Sequence, residues 1–371
     1  PMKTDQLTHN TGAKGTIKDS AKGTIKDSAK GTTKGSAKGE HQNRETFGAI
    51  DLGTNNCRLL VAEPYQGAFK VVDAFSRIVR LGEGLERHGR LSDEAMERTL
   101  GALRICASKM SRRKVLKARN VATEACRRAA NCDDFLKRIR SETGLTLEII
   151  TTQEEASLAL AGCAPLLRPG FEYGLVFDIG GGSTEILWVE TPQGGAGARL
   201  IDSLSLPIGV VNLSEIHGGD NISKIEFDTI TGVIQAAIAG FGARNAISEA
   251  IARGAVQMLG SSGTVTTLAG IHMGLPAYDR MRVDGGYLEF DEINAVRDHL
   301  MALDPKGRAK EPCIGETRAD LVVAGCAILE AICLSWPVGR LRVADRGLRE
   351  GIPCGLMGLD GDRPAGLTRG A

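Results

Sequence analysis

The stretch LVFDIGGGST, residues 175–184, decides the fold of this chain. An apolar strand ends in Asp178, and one apolar residue and a turn of glycine, serine and threonine follow it. FGAIDLGTNN, residues 47–56, repeats this order of residue types about 130 residues earlier. Two further strand-like runs follow each stretch, so each one opens a three-strand meander. The repetition predicts a duplicated domain with a cleft between its two copies.

The remainder of the chain alternates strand-like and helix-like patterns, which is typical of an α/β fold. Helices are expected near residues 93–112, 153–167, 224–247 and 317–334. The loop LLRPGFEYG has the composition of a linker. The sequence therefore predicts two domains, over residues 45–170 and 171–371, and allows the last helix to pack back on the first domain.

The N-terminal segment contains an eight-residue repeat, GTIKDSAK twice and then GTTKGSAK. Its lysines recur every four residues, at Lys14, Lys18, Lys22, Lys26, Lys30, Lys34 and Lys38. Glycine in each repeat, like charges four apart and the lack of an apolar face disfavour a helix. Residues 1–44 are therefore predicted to be a disordered tail. An electrostatic lure for polyphosphate or nucleic acid is one interpretation of this tail; a repeat that drifts without function is the preferred one.

The composition is that of an ordinary globular protein, with 42% apolar and 25% charged residues. The 46 basic and 45 acidic side chains nearly cancel, so the net charge indicates neither a membrane nor a specific nucleic-acid partner. The nine cysteines include no C-x-x-C pair, which argues against structural zinc and a disulfide framework. No stretch approaches the about 20 apolar residues of a membrane span, and no apolar signal core is present. A cytoplasmic protein is expected.

Three turns in the sequence are suited to binding phosphate. A phosphate site needs backbone N–H groups that point inward, together with carboxylates that hold a metal or a water. Turns of glycine, serine and threonine supply such N–H groups without side-chain obstruction. The three turns, at residues 51–56, 178–184 and 260–264, each follow an apolar strand. One such turn is explained as an ordinary loop, but three at strand ends, two of them led by Asp, favour a phosphate-binding cleft.

The ordered motifs DLGTNN, EEA, DIGGGSTE, GSSGTVT and ADRGLREGI resemble those of the exopolyphosphatase and guanosine pentaphosphate phosphatase family. This family is a branch of the sugar kinase, chaperone ATPase and actin superfamily, and the resemblance spans residues 46–359. It implies two ribonuclease H-like domains with phosphate loops that face one interdomain cleft. The implied reaction is metal-assisted attack of water that releases terminal orthophosphate from inorganic polyphosphate, converts guanosine pentaphosphate to the tetraphosphate, or does both.

The resemblance also implies roles for individual residues. Glu155, the second acid of EEA, is the catalytic carboxylate that orients and deprotonates water, and Glu154 is expected to be structural because acids in a first helical turn stabilise the helix dipole. The implied ligands of Mg²⁺ or Mn²⁺ are Asp51, Asp178 and Glu185, since these cations prefer oxygen. The implied phosphate contacts are Gly53, Thr54, Asn55, Asn56, Gly180, Gly181, Gly182, Ser183, Thr184, Ser262, Gly263, Thr264, Arg80 and Arg127. For Arg80 and Arg127 a solvated side chain or a structural ion pair is an equally open interpretation.

The chain departs from the family pattern in some places. GVVNLSE carries Asn212 where many relatives have a basic residue, so no phosphate contact is expected there. A short form is expected, because no histidine-aspartate hydrolase-like domain follows the matched region as it does in long members. That region extends the polyanion path and forms the dimer in long members, so the resemblance leaves a homodimer open. Cys57, beside the first turn, is expected to be a buried, inert thiol.

Two other functions remain open from the sequence. A sugar or acyl kinase of the same superfamily also uses two phosphate loops and an Asp, although EEA and the DRGLREG ending favour the phosphatase branch. A non-catalytic nucleotide-binding module is the second, and the retention of Glu155, Asp178 and Glu185 argues against it. The residues do not decide between polyphosphate and guanosine pentaphosphate.

Overall fold

A computed structural model describes residues 45–191 and 197–359. The lysine repeat, and with it the prediction of a disordered tail, lies outside the described residues. These residues all belong to one compact unit. None of their helices is long and apolar enough to cross a membrane.

The strands of the described residues are β1 (Phe47–Leu52), β2 (Asn56–Tyr65), β3 (Ala68–Ile78), β4 (Lys117–Ala122), β5 (Glu148–Ile149), β6 (Tyr173–Ile179), β7 (Thr184–Glu190), β8 (Arg199–Leu206), β9 (Val256–Ser261), β10 (Tyr287–Glu289) and β11 (Arg340–Ala344). The helices are α1 (Leu85–His88), α2 (Asp93–Arg112), α3 (Glu124–Arg128), α4 (Cys132–Thr143), α5 (Thr152–Cys163), α6 (Val210–His217), α7 (Lys224–Arg244), α8 (Ile247–Ala252), α9 (Gly263–His272), α10 (Arg280–Val283), α11 (Phe290–Ala302), α12 (Pro305–Lys310), α13 (Val322–Ser335) and α14 (Leu348–Met357).

The strands form two mixed sheets with the same internal order. The first sheet runs β3-β2-β1-β4-β5 and the second runs β10-β11-β9-β6-β7-β8. In each, an antiparallel three-strand meander is followed by a parallel neighbour of its first strand, β4 beside β1 and β9 beside β6. The expected α/β fold with two ribonuclease H-like sheets is confirmed.

An irregularity in the strand pairing also recurs in both sheets. The register of β2 with β3 shifts between Val61 and Ala62, and that of β7 with β8 shifts between Trp188 and Val189. The first shift begins ten residues after Asp51, and the second begins ten residues after Asp178. A bulge conserved in position between the two sheets is what duplication of one ancestral unit would leave.

Two helices cross between the sheets at very close range. α5 packs against β7 and β8 of the second sheet, whereas α14, at the other end of the chain, packs against β1 and β2 of the first. A Cβ on Gly162 would lie 2.0 Å from the carbonyl oxygen of Gly347, and one on Gly351 would lie 1.9 Å from that of Leu158. Only glycine permits this approach of the two helices.

One helix begins later than its sequence pattern indicates. Helical periodicity predicts a start near Thr317, but α13 begins at Val322, and the preceding residues form turns. Gly315 has a φ of 70°, and the side chain of Asp320 forms an ion pair with Arg80, which follows β3 of the first sheet. Tertiary contacts therefore replace the first helical turn.

Candidate functional site

The first loop (residues 53–56) and the second loop (residues 180–184) are the same turn in the two sheets. Gly53 N donates to Asn56 O at 2.9 Å, and Gly180 N donates to Ser183 O at 2.9 Å. The two loops also touch, because a Cβ on Gly182 would lie 2.7 Å from Thr54 Oγ1. The structure therefore brings the two predicted phosphate turns together at one place.

The carbonyl groups of the first loop are bound from outside the site. Asn55 O accepts hydrogen bonds from Val79 N at 2.8 Å and Arg80 N at 3.0 Å, and Thr54 O accepts one from Gly82 N at 2.9 Å. In a trans peptide the C=O and N–H of one unit point in opposite directions. The N–H groups that follow these carbonyls therefore point away from the supporting segment, as an anion site requires.

The second loop is supported in the same way by α6. Gly180 O accepts from Val210 N at 3.0 Å, and Gly181 O accepts from Val211 N at 2.8 Å. Asn212 Nδ2 donates to Gly182 O at 3.2 Å, while its Oδ1 accepts from Gly209 N at 2.7 Å. Asn212 is thus buried behind the loop and positions its backbone.

The third loop (residues 262–264) forms the start of α9. Ser262 caps this helix, since its Oγ accepts a hydrogen bond from Val265 N at 3.1 Å. β9 runs parallel to β6 and places Ser261 beside Asp178. The N-terminus of α9, with its unpaired N–H groups and positive dipole end, consequently lies at the same sheet edge as the second loop.

Asp178 and Glu185 are direct cross-strand neighbours on β6 and β7. Ser183 Oγ donates to Glu185 Oε1 at 2.7 Å, and Ser205 Oγ donates to the same oxygen at 3.0 Å. Burial raises the pKa of both acids to about 7. The charge of Asp178 adds to the rise at Glu185, and the charges of Glu155 and Asp51 add to it at Asp178 against the attraction of Arg58. Two carboxylates on adjacent positions of neighbouring strands favour a bound cation.

Glu155 lies in the first turn of α5 and faces this acid pair. Burial raises its pKa to about 8, and repulsion from Glu185 adds to the rise against the attraction of Arg127. Arg127 Nη1 donates to Glu155 Oε2 at 2.7 Å and to Ile150 O at 3.0 Å. Within the described residues no hydrogen bond engages Oε1 of Glu155, so this oxygen is left as an acceptor for water.

Glu154 has a different environment from its neighbour. Its Oε1 accepts a hydrogen bond from Arg119, which also binds Glu148. Its backbone N–H donates to the hydroxyl of Thr151, the N-cap of α5. Glu154 therefore belongs to an ion-pair network on the side of the helix away from the acid pair, whereas Glu155 faces it.

Asp51 stands in a mixed environment of acids and arginines. Arg58, directly opposite on β2, lies 3.9 Å from its carboxylate. Burial raises the pKa of Asp51, and the charges of Arg58 and Arg349 oppose this rise. The direct cross-strand neighbour of Asp51 is thus a cation and that of Asp178 is a carboxylate, while the charge of Arg58 acts on both acids and opposes the rise in the pKa of Asp178 as well.

Three arginines that the motif assignment did not single out lie at this site: Arg58, Arg318 and Arg349. Burial lowers the pKa of Arg318, and the like charge of Arg58 lowers it further, so these two guanidinium groups lie within electrostatic range of each other. Arg349 is buried against Glu350 at 2.7 Å. Arg349 stands in the quoted motif ADRGLREGI, and comparing DLGTNNCR with DIGGGSTE would have singled out Arg58. Arg318 carries no local signal, because its turn is defined by tertiary contacts.

Of the two basic residues predicted to contact phosphate, Arg127 lies within the acid cluster and binds Glu124 as well as Glu155. Arg80 lies beside the first loop, but its guanidinium binds both carboxylate oxygens of Asp320 at 2.9 Å. Cys57 is buried as expected, and burial together with the neighbouring thiol of Cys106 raises its pKa well above the ordinary value.

The described residues contain no group of three or more His, Cys, Asp or Glu side chains arranged to hold a metal ion. The predicted trio of Asp51, Asp178 and Glu185 therefore does not form a closed protein cage. The donor set at Asp178 and Glu185 nevertheless fits Mg²⁺, which binds through one or two carboxylates and completes its shell with water and substrate phosphate.

The chain is similar to a known protein family and to several solved structures. Residues 60–359 match the model of the Ppx/GppA phosphatase family. The crystal structure of the Aquifex aeolicus member of the Ppx/GppA family is 28% identical, with 86% of this chain and 99% of that chain covered and a TM-score of 0.68. An exopolyphosphatase-like protein is 28% identical over 84% of this chain and 97% of its own, with a TM-score of 0.75. An exopolyphosphatase from Cytophaga hutchinsonii, 24% identical over 86% and 99%, has a TM-score of 0.75 and shares the fold.

Proposed function

Since the chain belongs to the Ppx/GppA phosphatase family, we propose that it releases terminal orthophosphate from inorganic polyphosphate, from guanosine pentaphosphate, or from both. The observation that carries this proposal is the position of Glu155. It is a buried carboxylate with a pKa of about 8, held by Arg127 beside Asp178 and Glu185. Once ionised, as the pH rises toward about 8, a carboxylate of this pKa is a stronger base than an ordinary carboxylate and is suited to accept the proton of water.

The reaction begins with a water hydrogen-bonded to Oε1 of Glu155. Arg127 occupies Oε2 and fixes the direction of the carboxylate. As the water oxygen bonds to the terminal phosphorus, its proton passes to Oε1, and the bond from phosphorus to the bridging oxygen breaks on the opposite side. The products are orthophosphate and a chain shorter by one phosphate.

Charge stabilisation comes from three directions. The peptide N–H groups of the first and second loops donate to the phosphate oxygens from both sheets, and the N-terminus of α9 adds its dipole. The guanidinium groups of Arg58 and Arg318 repel each other in the free protein. A phosphate bound between them removes this repulsion, which supports their role as phosphate ligands.

Asp178 and Glu185 are the residues that would hold Mg²⁺. When bound, the cation supplies positive charge that offsets the charge on the bridging and terminal phosphate oxygens. The raised pKa values of both acids imply that they bind the cation more tightly as the pH rises through about 7, because binding needs both carboxylates ionised.

Side-by-side assays test the substrate assignment. Purified chain with Mg²⁺ is incubated with tripolyphosphate, long-chain polyphosphate and guanosine pentaphosphate, and released orthophosphate is measured over time. Release from at least one of the three supports the proposal, and the ratio of kcat/KM values assigns the preferred substrate. Absence of release from all three, under conditions where the protein is folded, would overturn it.

A further inference from the structure

The short segment that follows β3, residues 79–82, is the outer support of the first loop. Three of its N–H groups, those of Val79, Arg80 and Gly82, bind loop carbonyls as described above. Arg98 of α2 holds the segment from its other side, since Nε donates to Val79 O at 3.0 Å and Nη2 donates to Arg80 O at 3.3 Å. The position of the first loop is therefore set by this segment.

Arg80 has a backbone conformation that is unusual for its residue type. Its φ is 47°, in the left-handed region that favours glycine. Such a conformation is strained for a residue with a side chain and persists only where surrounding contacts hold it. Here it turns the side chain away from the first sheet and toward residues that precede α13.

The guanidinium of Arg80 makes a bidentate ion pair with Asp320. Nη1 and Nη2 each lie 2.9 Å from one carboxylate oxygen, and Nη2 also donates to Thr317 O at 3.0 Å. Both partners are partly buried, with 29% and 26% of their side chains exposed. Planar, two-point pairing of this kind fixes orientation as well as distance.

Asp320 in turn fixes the turn that carries Arg318. Its carbonyl oxygen accepts from Ser214 Oγ of α6 at 3.0 Å, so the turn is tied to the helix that supports the second loop. Glu215 of α6 also contacts the chain that follows residues 79–82, since its Oε1 accepts from Gly84 N at 2.7 Å. The support of the first loop, the turn of Arg318 and α6 thus form one network, in which the ion pair of Arg80 and Asp320 links the first two.

We infer that Arg80 is a positioning residue, which through Asp320 holds the first loop and Arg318 in the arrangement that binds the phosphate chain. This role deepens the proposed function and rests on it. It differs from a direct phosphate contact by Arg80, the role expected from the motif resemblance.

Hydrogen exchange without substrate tests the structural half of this inference. In Asp320→Asn, exchange in peptides that contain residues 79–82 should accelerate by at least about tenfold, because a local opening then costs less. Asp202→Asn is the matched control: Asp202 binds Arg244 and Asn245 at 2.7 Å, away from both loops, and its loss should leave residues 79–82 protected. Unchanged exchange at residues 79–82 in Asp320→Asn would overturn the inference.

Kinetics test the functional half. Arg80→Gln and Asp320→Asn should each raise KM for tripolyphosphate at least about tenfold with kcat within about threefold, since pre-organisation is lost while Glu155 is untouched. The reversed pair, Arg80→Asp with Asp320→Arg, should recover a large part of that loss. If Arg80 instead binds phosphate directly, Asp320→Asn frees it and lowers KM, and the reversed pair does not recover. A wild-type chain without phosphatase activity would defeat the proposed function, whereas the exchange experiment still decides the role of the ion pair.

Discussion

Arg58 lies opposite Asp51 across β1 and β2, in the register position where Glu185 lies opposite Asp178 across β6 and β7. The two sheets share strand order, loop geometry and the position of the register shift, yet differ in charge at this one position. The second sheet presents two carboxylates, which suit a cation, and the first presents a carboxylate paired with an arginine, which suits a phosphate group. We therefore expect the second sheet to hold the cation and the first sheet to bind the phosphate group.

Exchange of Glu185 for glutamine tests this division. Glu185→Gln should raise the Mg²⁺ concentration needed for half-maximal activity by at least about tenfold, because one of two ligand charges is lost. Arg58→Gln removes a charge near Asp178 but no ligand of the cation, so it should shift the Mg²⁺ requirement much less than Glu185→Gln does and should raise KM for tripolyphosphate. Titration of activity with Mg²⁺ after exhaustive chelation measures both. Full activity of the chelated wild-type chain, or an equal Mg²⁺ shift in both variants, would contradict the assignment.

The pKa of Glu155 predicts a pH dependence of stability. The pKa of an unfolded Glu is about 4, whereas the pKa of Glu155 in the folded chain is raised to about 8. Between these values the folded state binds more protons than the unfolded state, so the free energy of unfolding falls as the pH rises. Glu155→Gln removes this contribution. Its thermal midpoint, relative to wild type, should therefore be higher at pH 8 than at pH 6, in the absence of divalent cations. An equal difference at both pH values would contradict the raised pKa.

The close crossing of α5 and α14 predicts that one methyl group added at Gly162 lowers the free energy of unfolding. In Gly162→Ala the new Cβ would lie 2.0 Å from Gly347 O, a backbone atom that cannot move freely, so a loss of about 1 to 3 kcal/mol or more is expected. Gly101→Ala, in the interior of α2 with no atom within 4 Å of the new Cβ, is the control and should stabilise the chain by about 0.5 to 1 kcal/mol. Urea unfolding of both variants gives the comparison, and equal stabilities would argue against the crossing.

The lysine repeat yields a prediction from sequence alone. A lysine-rich tail gathers polyanions by counterion release but supplies no oriented chemistry. Deletion of residues 1–44 should leave turnover of tetraphosphate unchanged and raise KM for long polyphosphate less than about threefold, and only at low salt. Measurement of both substrates at low and physiological salt tests this. A collapse of tetraphosphate turnover would show that the segment takes part in the catalytic site.

The sequence predicts those parts of the site that patterns of neighbouring residues specify. The turns after Asp51 and Asp178 each combine a strand end with small and polar turn residues. Because both turns have the same order of residue types, the sequence alone indicates the duplication. The resemblance likewise placed Glu155, and the structure adds the reason why Glu154 differs, namely its pairing with Arg119.

Sequence fails where tertiary contacts override local preference. The apolar pattern before Val322 is helical, but Asp320 binds Arg80 and the helix starts later. Arg318 therefore sits in a turn that no local signal marks. The resemblance implies a phosphate contact for Arg80, and this stays a prediction; the positive φ of Arg80 and its ion pair with Asp320 are not visible in the sequence.

The most direct test of the account compares the two neighbouring acids of α5. Initial rates of orthophosphate release from tripolyphosphate with Mg²⁺ are measured for wild type, Glu155→Gln and Glu154→Gln, with circular dichroism to confirm equal folding. Glu155→Gln should lose at least about a hundredfold in kcat, because the group that takes the proton of water is gone. Glu154→Gln should stay within about threefold of wild type, since it loses only an ion pair with Arg119. A hundredfold loss in Glu154→Gln with full activity in Glu155→Gln would contradict the account.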